Sequence, residues 1–388
     1  MGGDIEIGMR KFVAPEIVFG LGAGTLAGRY AGNFGVRKVL VVTDNEVANC
    51  GWTDHVTRGL ESEALDFAVF RDVVPNPTAE CVHAGAQAYA AEKCDSLVAV
   101  GGGSPMDCAK GIGIVSTNGG HILDYVGVDK VDNPLPPLIF VPTTAGTSAD
   151  VSQFAIIADT QRKVKVAIIT KTIVPDVALI DPETTTTMDD ELTAHTGLDA
   201  YCHAFEAYVS NANSAITDAH ALEAIKLITD ALPKVIKSPS DLQLRGRMML
   251  GSLFAGLAFS NASLGAVHAM AHSLGGLLNL PHGACNAILL EHVVAFNFDA
   301  ATERYRRIAK TMGLDMESLD DEQAKNTLVD EVARIRKSVG VTSSLGDLGM
   351  TPQDIRLLAE NSLADPCIVT NPVMPALSDI EKIYEQAL

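Results

Sequence analysis

The chain has 388 residues, with 48 acidic against 29 basic side chains, a formal charge of −19 and a pI of about 4.8. That balance excludes nucleic acid as a partner, because a phosphate backbone needs a basic surface. With 47% hydrophobic and 20% charged residues the composition is globular, and the length allows two or three domains, each with a substantial core.

The N-terminal MGGDIEIGMRK carries acids and no apolar core, and Glu6 stands where a myristoylation motif wants Ser or Thr. Neither a secretory signal nor a lipid anchor is expected. EIVF, from Glu16 to Phe19, is a first short strand. Gly22-Ala-Gly24-Thr-Leu-Ala27 fits G-x-G-x-x-A, and Asp44 falls twenty residues beyond Gly24, but such a match is weak alone. A glycine-softened turn into a helix is the favoured reading there.

In RKVLVVTDN, Val39 to Val42 form the continuous apolar run of a buried parallel strand, which leaves Thr43 and Asp44 at its C-terminal end. Open α/β sheets gather ligand groups at that end. A second unit repeats the rhythm with ALDFAVF (64–70), VVPNPT (73–78) and a helical AECVHAGAQAYAAEKC. Alternating strand and helix predicts a parallel, doubly wound sheet.

DSLVAVGGGSPMDCAKGIGIV, from Asp95 to Val115, carries the strongest cofactor signal. Leu97 to Val100 read as a buried strand, and Gly101, Gly102 and Gly103 make a turn with no Cβ to block a ligand. Ser104 is expected to cap the following helix, with Pro105 in its first position and Asp107 completing a capping box. The free amides and positive end of that helix suit a pyrophosphate. After another strand, Leu138 to Val141, the loop of Thr143, Thr144 and Thr147 offers hydroxyls and amides to a ribose and phosphate. KVKVAIIT (163–170) and VPDVALID (174–181) read as the remaining strands.

Beyond Asp181 the β-branched runs give way to long helical periods, with the Thr184 to Thr187 run expected to cap the first helix. The boundary falls near 182 to 188, giving an α/β domain (1–184) with a mainly parallel sheet and an all-α domain (185–388). In GLDAYCHAFEAY, Asp199 and His203 are spaced i,i+4 and share a helix face. The same spacing relates His268 and His272 in GAVHAMAHSLGGLLNLPHGACN, where Pro281 ends the helix and returns His282 on a new element. One carboxylate and up to four imidazoles then converge, which points to a divalent ion. Residues 248 to 290 lack any charged side chain, yet Ser, Asn, Gly, Pro and His interrupt them, so a buried helical core is expected rather than a membrane span. His195 is not at ligand spacing and is read as structural. The seven cysteines show no C-x-x-C spacing and suit free thiols in a reducing cytoplasm.

Together these motifs closely resemble the iron-dependent (group III) alcohol dehydrogenase family: Asp199-x-x-x-His203, His268-x-x-x-His272, the PHG of Pro281 to Gly283, and GGGS-P-x-D from Gly101 to Asp107. The resemblance runs from Phe12 to Asn371, although Gly146-Thr-Ser-Ala-Asp150 departs from the G-T-G-S-E common in the family. It implies an NAD-binding N-terminal domain, and a C-terminal domain holding Fe2+, or Zn2+, through Asp199, His203, His268 and His282. By the same resemblance His272 lies beside the substrate, Lys165 at the nicotinamide end, and Cys367 in the substrate pocket. A buried apolar cysteine is the bland alternative for Cys367. The implied reaction is hydride transfer between NAD and a small alcohol or aldehyde in the cleft between the domains, in a cytoplasmic homo-oligomer, often a dimer paired through N-terminal strands. Glycerol dehydrogenase and dehydroquinate synthase types use fewer histidines, and a silent binding protein of the same fold is the rival from outside catalysis. Asp44 would favour NAD, since its carboxylate accepts from a ribose 2′-hydroxyl and repels a 2′-phosphate.

Overall fold

The computed structural model describes residues 9–162, 164–278 and 280–388. The N-terminal signal and anchor motifs, and Lys163 of the 163–170 strand, lie outside the described residues. Two compact units emerge, Val13–Met188 and Asp189–Leu388, and the described residues before Val13 belong to the second.

The first unit holds strands β1 (Glu16–Phe19), β2 (Lys38–Val42), β3 (Asp66–Phe70), β4 (Ser96–Gly101), β5 (Gly127–Val128), β6 (Leu138–Pro142), β7 (Phe154–Asp159), β8 (Val164–Ile169) and β9 (Val177–Ile180). Its helices are α1 (Ala27–Asn33), α2 (Asn45–Asn49), α3 (Trp52–Ser62), α4 (Ala79–Ala91) and α5 (Gly103–Asn118). Six strands form one sheet in the order β1-β9-β6-β4-β2-β3, with every pairing parallel. Alternate side chains feed two cores. Leu40, Val42, Leu97, Ala99 and Phe140 join one that α4 and α5 complete, while Val39, Val41, Val98, Val100 and Val141 join another with residues of α1 and α3. A strand buried on both faces has no polar alternation, which is why these segments read as unbroken apolar runs.

The strand expected over 163–170 is β8, and it leaves the parallel sheet. It pairs antiparallel with β7, from Phe154↔Ile169 to Asp159↔Val164, and β5 completes this separate three-stranded sheet. Gly22-Ala-Gly24 is a turn, as favoured, with Gly22 in the left-handed region at φ 81°.

Two expected caps are corrected. Helix α5 begins one residue earlier than Ser104: Gly102 is its N-cap and no side chain caps it. Ser104 Oγ instead accepts from the Asn76 backbone amide at 3.2 Å, and Asp107 Oδ2 accepts from that of Ile156 at 3.2 Å. A three-glycine turn lets the helix start without a cap, and Asp107 is drawn toward the fully buried Lys110, 3.9 Å away. Nor do Thr184 to Thr187 cap the first helix of the second unit. Thr184 and Thr185 lie in a 3-10 turn, Pro182–Thr185, capped by Asp181, Thr186 follows as its C-cap, and the helix is capped by Asp189, whose side chain accepts from Leu192.

The second unit contains α6 (Asp190–Val209), α7 (Ala215–Val235), α8 (Leu242–Ala262), α9 (Ala266–Leu278), α10 (His282–Asn297), α11 (Thr302–Thr311), α12 (Asp321–Ser338), α13 (Ile355–Ala364) and α14 (Leu377–Ala387), with no strand among the described residues. Helix α6 packs against α7, α8 and α10, and α9 against α10 and α13. No single described helix is long and apolar enough to cross a membrane, and α8 and α9 meet at 98°. The charge-free stretch is therefore a buried helical hub in which α6, α9 and α10 hold the chemistry.

Candidate active site

Helix α6 places Asp199 and His203 one turn apart, both buried. Helix α9 brings His268, which is 1% exposed, and the fold-back at Pro281 makes His282 the first residue of α10. All three imidazoles converge on one atom: Asp199 Oδ1 lies 3.5 Å from His268 Nε2, 3.7 Å from His203 Nε2 and 3.8 Å from His282 Nε2. The ligand atoms of Asp199, His268 and His282 all fall within 4.8 Å of one another, and the His203 ring stacks on His268 at 4.6 Å.

An ion with bonds of ~2.1 Å to a tetrahedral donor set spaces its donors about 3.4 Å apart, so the distances from Asp199 Oδ1 to the three imidazoles need to contract by only a few tenths of an ångström. Asn286, fully buried one turn beyond His282, reaches all but one of these groups. Its Nδ2 donates to Asp199 Oδ1 at 2.7 Å and approaches His268 Nε2 and His282 Nε2 at 3.0 and 3.2 Å, while its Oδ1 is buried with no hydrogen-bond partner. One amide nitrogen, with two protons, faces three atoms that a cation would satisfy together. Burial alone would raise the Asp199 carboxyl, but the surrounding His203, His268 and His282 hold it well below the usual carboxylate range. The residues present therefore fit a divalent metal.

His272, one turn beyond His268, faces a different partner. Its Nδ1–H donates to Asp365 Oδ2 at 2.9 Å, since an ionised carboxylate can only accept. The Asp365 carboxyl, raised by burial, is brought below its ordinary value by His272 and by amide donation from Cys367. Cys367 is 1% exposed, its thiol pushed well up by burial and then by Asp365, and it lies with His272 and Asp365 in a second compact group.

Sequence reasoning passed over three site residues. Glu206 binds His268 Nδ1 at 2.5 Å and continues the Asp199, His203 face of α6 at i+7, so its helical spacing was a usable signal. Asn286 stands i+4 from His282 on α10 and was equally legible. Asp365 lies 93 residues from His272 and gave no local signal.

In the first unit the glycine turn and the threonine loop meet. A Cβ on Gly102 would lie 3.1 Å from the Thr144 side chain, and one on Gly103 3.1 Å from that of Thr147, so a larger residue at either position would need the threonine to give way by a few tenths of an ångström. The Thr143 amide donates to Gly101 O at 2.9 Å, joining the two loops at their roots. Lys165 Nζ donates to Asn76 Oδ1 at 2.7 Å, and Asn76 is the residue whose amide donates to Ser104 Oγ, so Lys165 is brought to the opening of α5. Burial drives the Asp107 carboxyl up to about 6 against the pull of Lys110. Asp44 is the N-cap of α2, its Oδ1 accepting from Val47 at 2.8 Å, a task that occupies one carboxylate oxygen.

Comparison with known proteins adds an independent line. The family model described as iron-containing alcohol dehydrogenase matches residues 14–182, and that described as the C-terminal part of the Fe-containing alcohol dehydrogenase family matches 193–388. The chain is 39% identical to an NAD-dependent methanol dehydrogenase of Bacillus methanolicus over 377 residues, covering 97% of this chain and 99% of that one. It is 39% identical over 382 residues to a 1,3-propanediol dehydrogenase of Citrobacter freundii, covering 98% and 99%. A crystal structure of a 1,3-propanediol oxidoreductase superposes with a TM-score of 0.96 at 38% identity, covering 98% of this chain and all of that one.

Proposed function

Since the chain belongs to the iron-containing alcohol dehydrogenase family, we propose that it interconverts an alcohol and its aldehyde or ketone by exchanging hydride with NAD. The observation that carries this reading is the convergence of three imidazoles on Asp199 Oδ1 with the His272–Asp365 pair alongside. Asp199, His203, His268 and His282 would hold Fe2+, with Zn2+ also suited to the same donors. Bound there, the ion supplies Lewis-acid polarisation of the substrate oxygen. His272, with its Nδ1–H committed to Asp365, would take the hydroxyl proton at Nε2 during oxidation and return it during reduction. Gly101, Gly102, Gly103, Ser104 and Asp107 would form the pyrophosphate site at the start of α5, and Thr143, Thr144, Thr147 and Lys165 would line the ribose and nicotinamide end.

Formation of NADH with a panel of short alcohols, after loading with Fe2+ and separately with Zn2+, tests the activity. Turnover with at least one alcohol is expected. Metal and nucleotide binding without turnover on any of them would favour a silent binding protein.

Asp44 is proposed to set the preference for NAD. At about 5 Å and an effective dielectric near 20, two unit charges repel by roughly 3 kcal/mol. Even half of that after salt screening is about a tenfold preference. Asp44→Asn keeps an acceptor for Val47 and removes the charge, so the ratio of NAD to NADP efficiency should narrow about tenfold through better use of NADP. Steady-state kinetics with both nucleotides would show it, and an unchanged ratio would remove Asp44 from the cofactor site.

A homo-oligomer in the cytoplasm completes the proposal. Strand β1 is an edge strand of its sheet, the kind of strand that can pair with a second copy. All seven cysteines are free thiols, as a reducing compartment keeps them.

A further inference from the structure

We infer that Glu206 is a positioning residue that selects the metal-binding tautomer of His268 and fixes the helix turn carrying it, an inference that rests on His268 being a ligand. Glu206 is 5% exposed, and its two carboxylate oxygens serve two donors on successive residues of α9: Oε1 accepts from the Val267 amide at 2.7 Å and Oε2 from His268 Nδ1 at 2.5 Å. A carboxylate has no proton to give, so the proton in the second bond belongs to His268 Nδ1. In the neutral form of the ring, the form that binds an ion, the proton on Nδ1 leaves the lone pair on Nε2, the nitrogen that lies 3.5 Å from Asp199 Oδ1. The other neutral tautomer would put a proton on the atom that must bind the ion.

The same carboxylate replaces a local cap. The first amides of α9 have no side-chain acceptor from the preceding loop; Ala266 donates to Asn371 Oδ1 at 3.1 Å and Val267 to Glu206. Asn371 is held in turn by Asn297, whose Oδ1 accepts from Asn371 Nδ2 at 2.7 Å. Gly265 makes room for both, since a Cβ there would lie 2.8 Å from Asn371 Oδ1 and 3.0 Å from Glu206 Oε1. Orientation of His268 is thereby set at its ring by Glu206 and at its backbone by Glu206 and Asn371.

Glu206→Gln separates this role from simple packing, because it keeps the shape and changes the donor count. Each donor now has its own carboxylate oxygen, and an amide puts an NH2 group in place of one of them, so the two bonds cannot both persist where they stand. If the oxygen stays with Val267, the amide NH2 meets Nδ1, the imidazole proton shifts to Nε2, and the ligand lone pair is lost. If the oxygen turns to His268, the buried Val267 amide is left without an acceptor and the turn bearing the ligand loosens.

The experiment titrates Co2+ into chelator-stripped wild type, Glu206→Gln and His268→Ala, following the visible bands of the bound ion, and records thermal midpoints of all three without metal. The dissociation constant of Glu206→Gln should rise by about 10–100-fold, the usual cost of losing a carboxylate behind a metal-bound histidine. Wild-type affinity and spectrum in Glu206→Gln, with affinity lost in His268→Ala, would overturn the inference while leaving the ligand assignment standing. Wild-type affinity in His268→Ala would overturn the ligand assignment itself. Should Glu206→Gln fail to fold, metal-free wild type with 15N-labelled histidine, recorded at a pH where the ring is neutral, decides: a proton on His268 Nδ1 supports the inference, and a proton on Nε2 overturns it.

Discussion

Alanine in place of His268 or His282 is expected to reduce bound metal to well below one equivalent per chain and to abolish alcohol oxidation with it. Each residue supplies one of the three imidazoles that face Asp199 Oδ1, and His268 is 1% exposed. Truncation also leaves the Asp199 carboxylate, 2% exposed, short of a partner that keeps it charged. An uncompensated buried charge typically costs 3–5 kcal/mol. His195→Ala is the control, because His195, although one turn before Asp199 on α6, is not among the imidazoles that face Asp199 Oδ1. Elemental analysis of protein purified without oxygen should find metal in the control and little in the other two. Full occupancy and normal turnover in both variants would sink the ligand assignment.

His272→Ala should behave differently. The ring is one turn from His268, yet its Nδ1 is engaged with Asp365 and not with Asp199. General acid–base assistance contributes about 10²–10⁴-fold, so turnover should fall by that much while metal content stays at the wild-type level. The pH dependence of kcat should also lose the limb that reports the imidazole. Asp365→Asn should retain the metal and show a smaller loss, since an amide can hold the ring but does not stabilise its protonated form. Because His272, Asp365 and Cys367 are themselves close enough to gather an ion, metal content is the deciding measurement. A His272→Ala protein depleted of metal would make His272 a ligand.

What the sequence disclosed and what it hid divide along physical lines. Strands β2, β4, β6 and β9 are buried on both faces, so their apolar runs marked them without knowledge of their partners. β7, QFAIIAD less its first residue, has the same texture but was passed over because its pairing with β8 is antiparallel and outside the repeating strand–helix rhythm. Metal ligands were legible where one helix carried two of them, as with Asp199 and His203, since the helical period is local information. Asp365 and Asn371 act on α9 from about a hundred residues away in the chain, and no local period encodes that. The caps failed for a related reason. Ser104 and Thr184 to Thr187 have suitable hydroxyls, but those of Ser104 and Thr184 are taken by the Asn76 amide and by the Pro142 and Asp181 carbonyls. Local propensity proposes a cap, and tertiary partners dispose of it.

The four proposed donors lie on three helices, α6, α9 and α10, and all belong to one compact unit. An ion that binds this arrangement and not the unfolded chain stabilises it by mass action, by about 4 kcal/mol when the free ion stands a thousandfold above its dissociation constant. A typical domain is stable by only about 5–15 kcal/mol. The helical unit would thus draw a sizeable share of its resistance to unfolding from the supply of metal, whereas the sheet unit, which contributes no donor, would not. Metal scarcity would then act on this protein twice, first as lost turnover and then as a shorter lifetime of the folded helices.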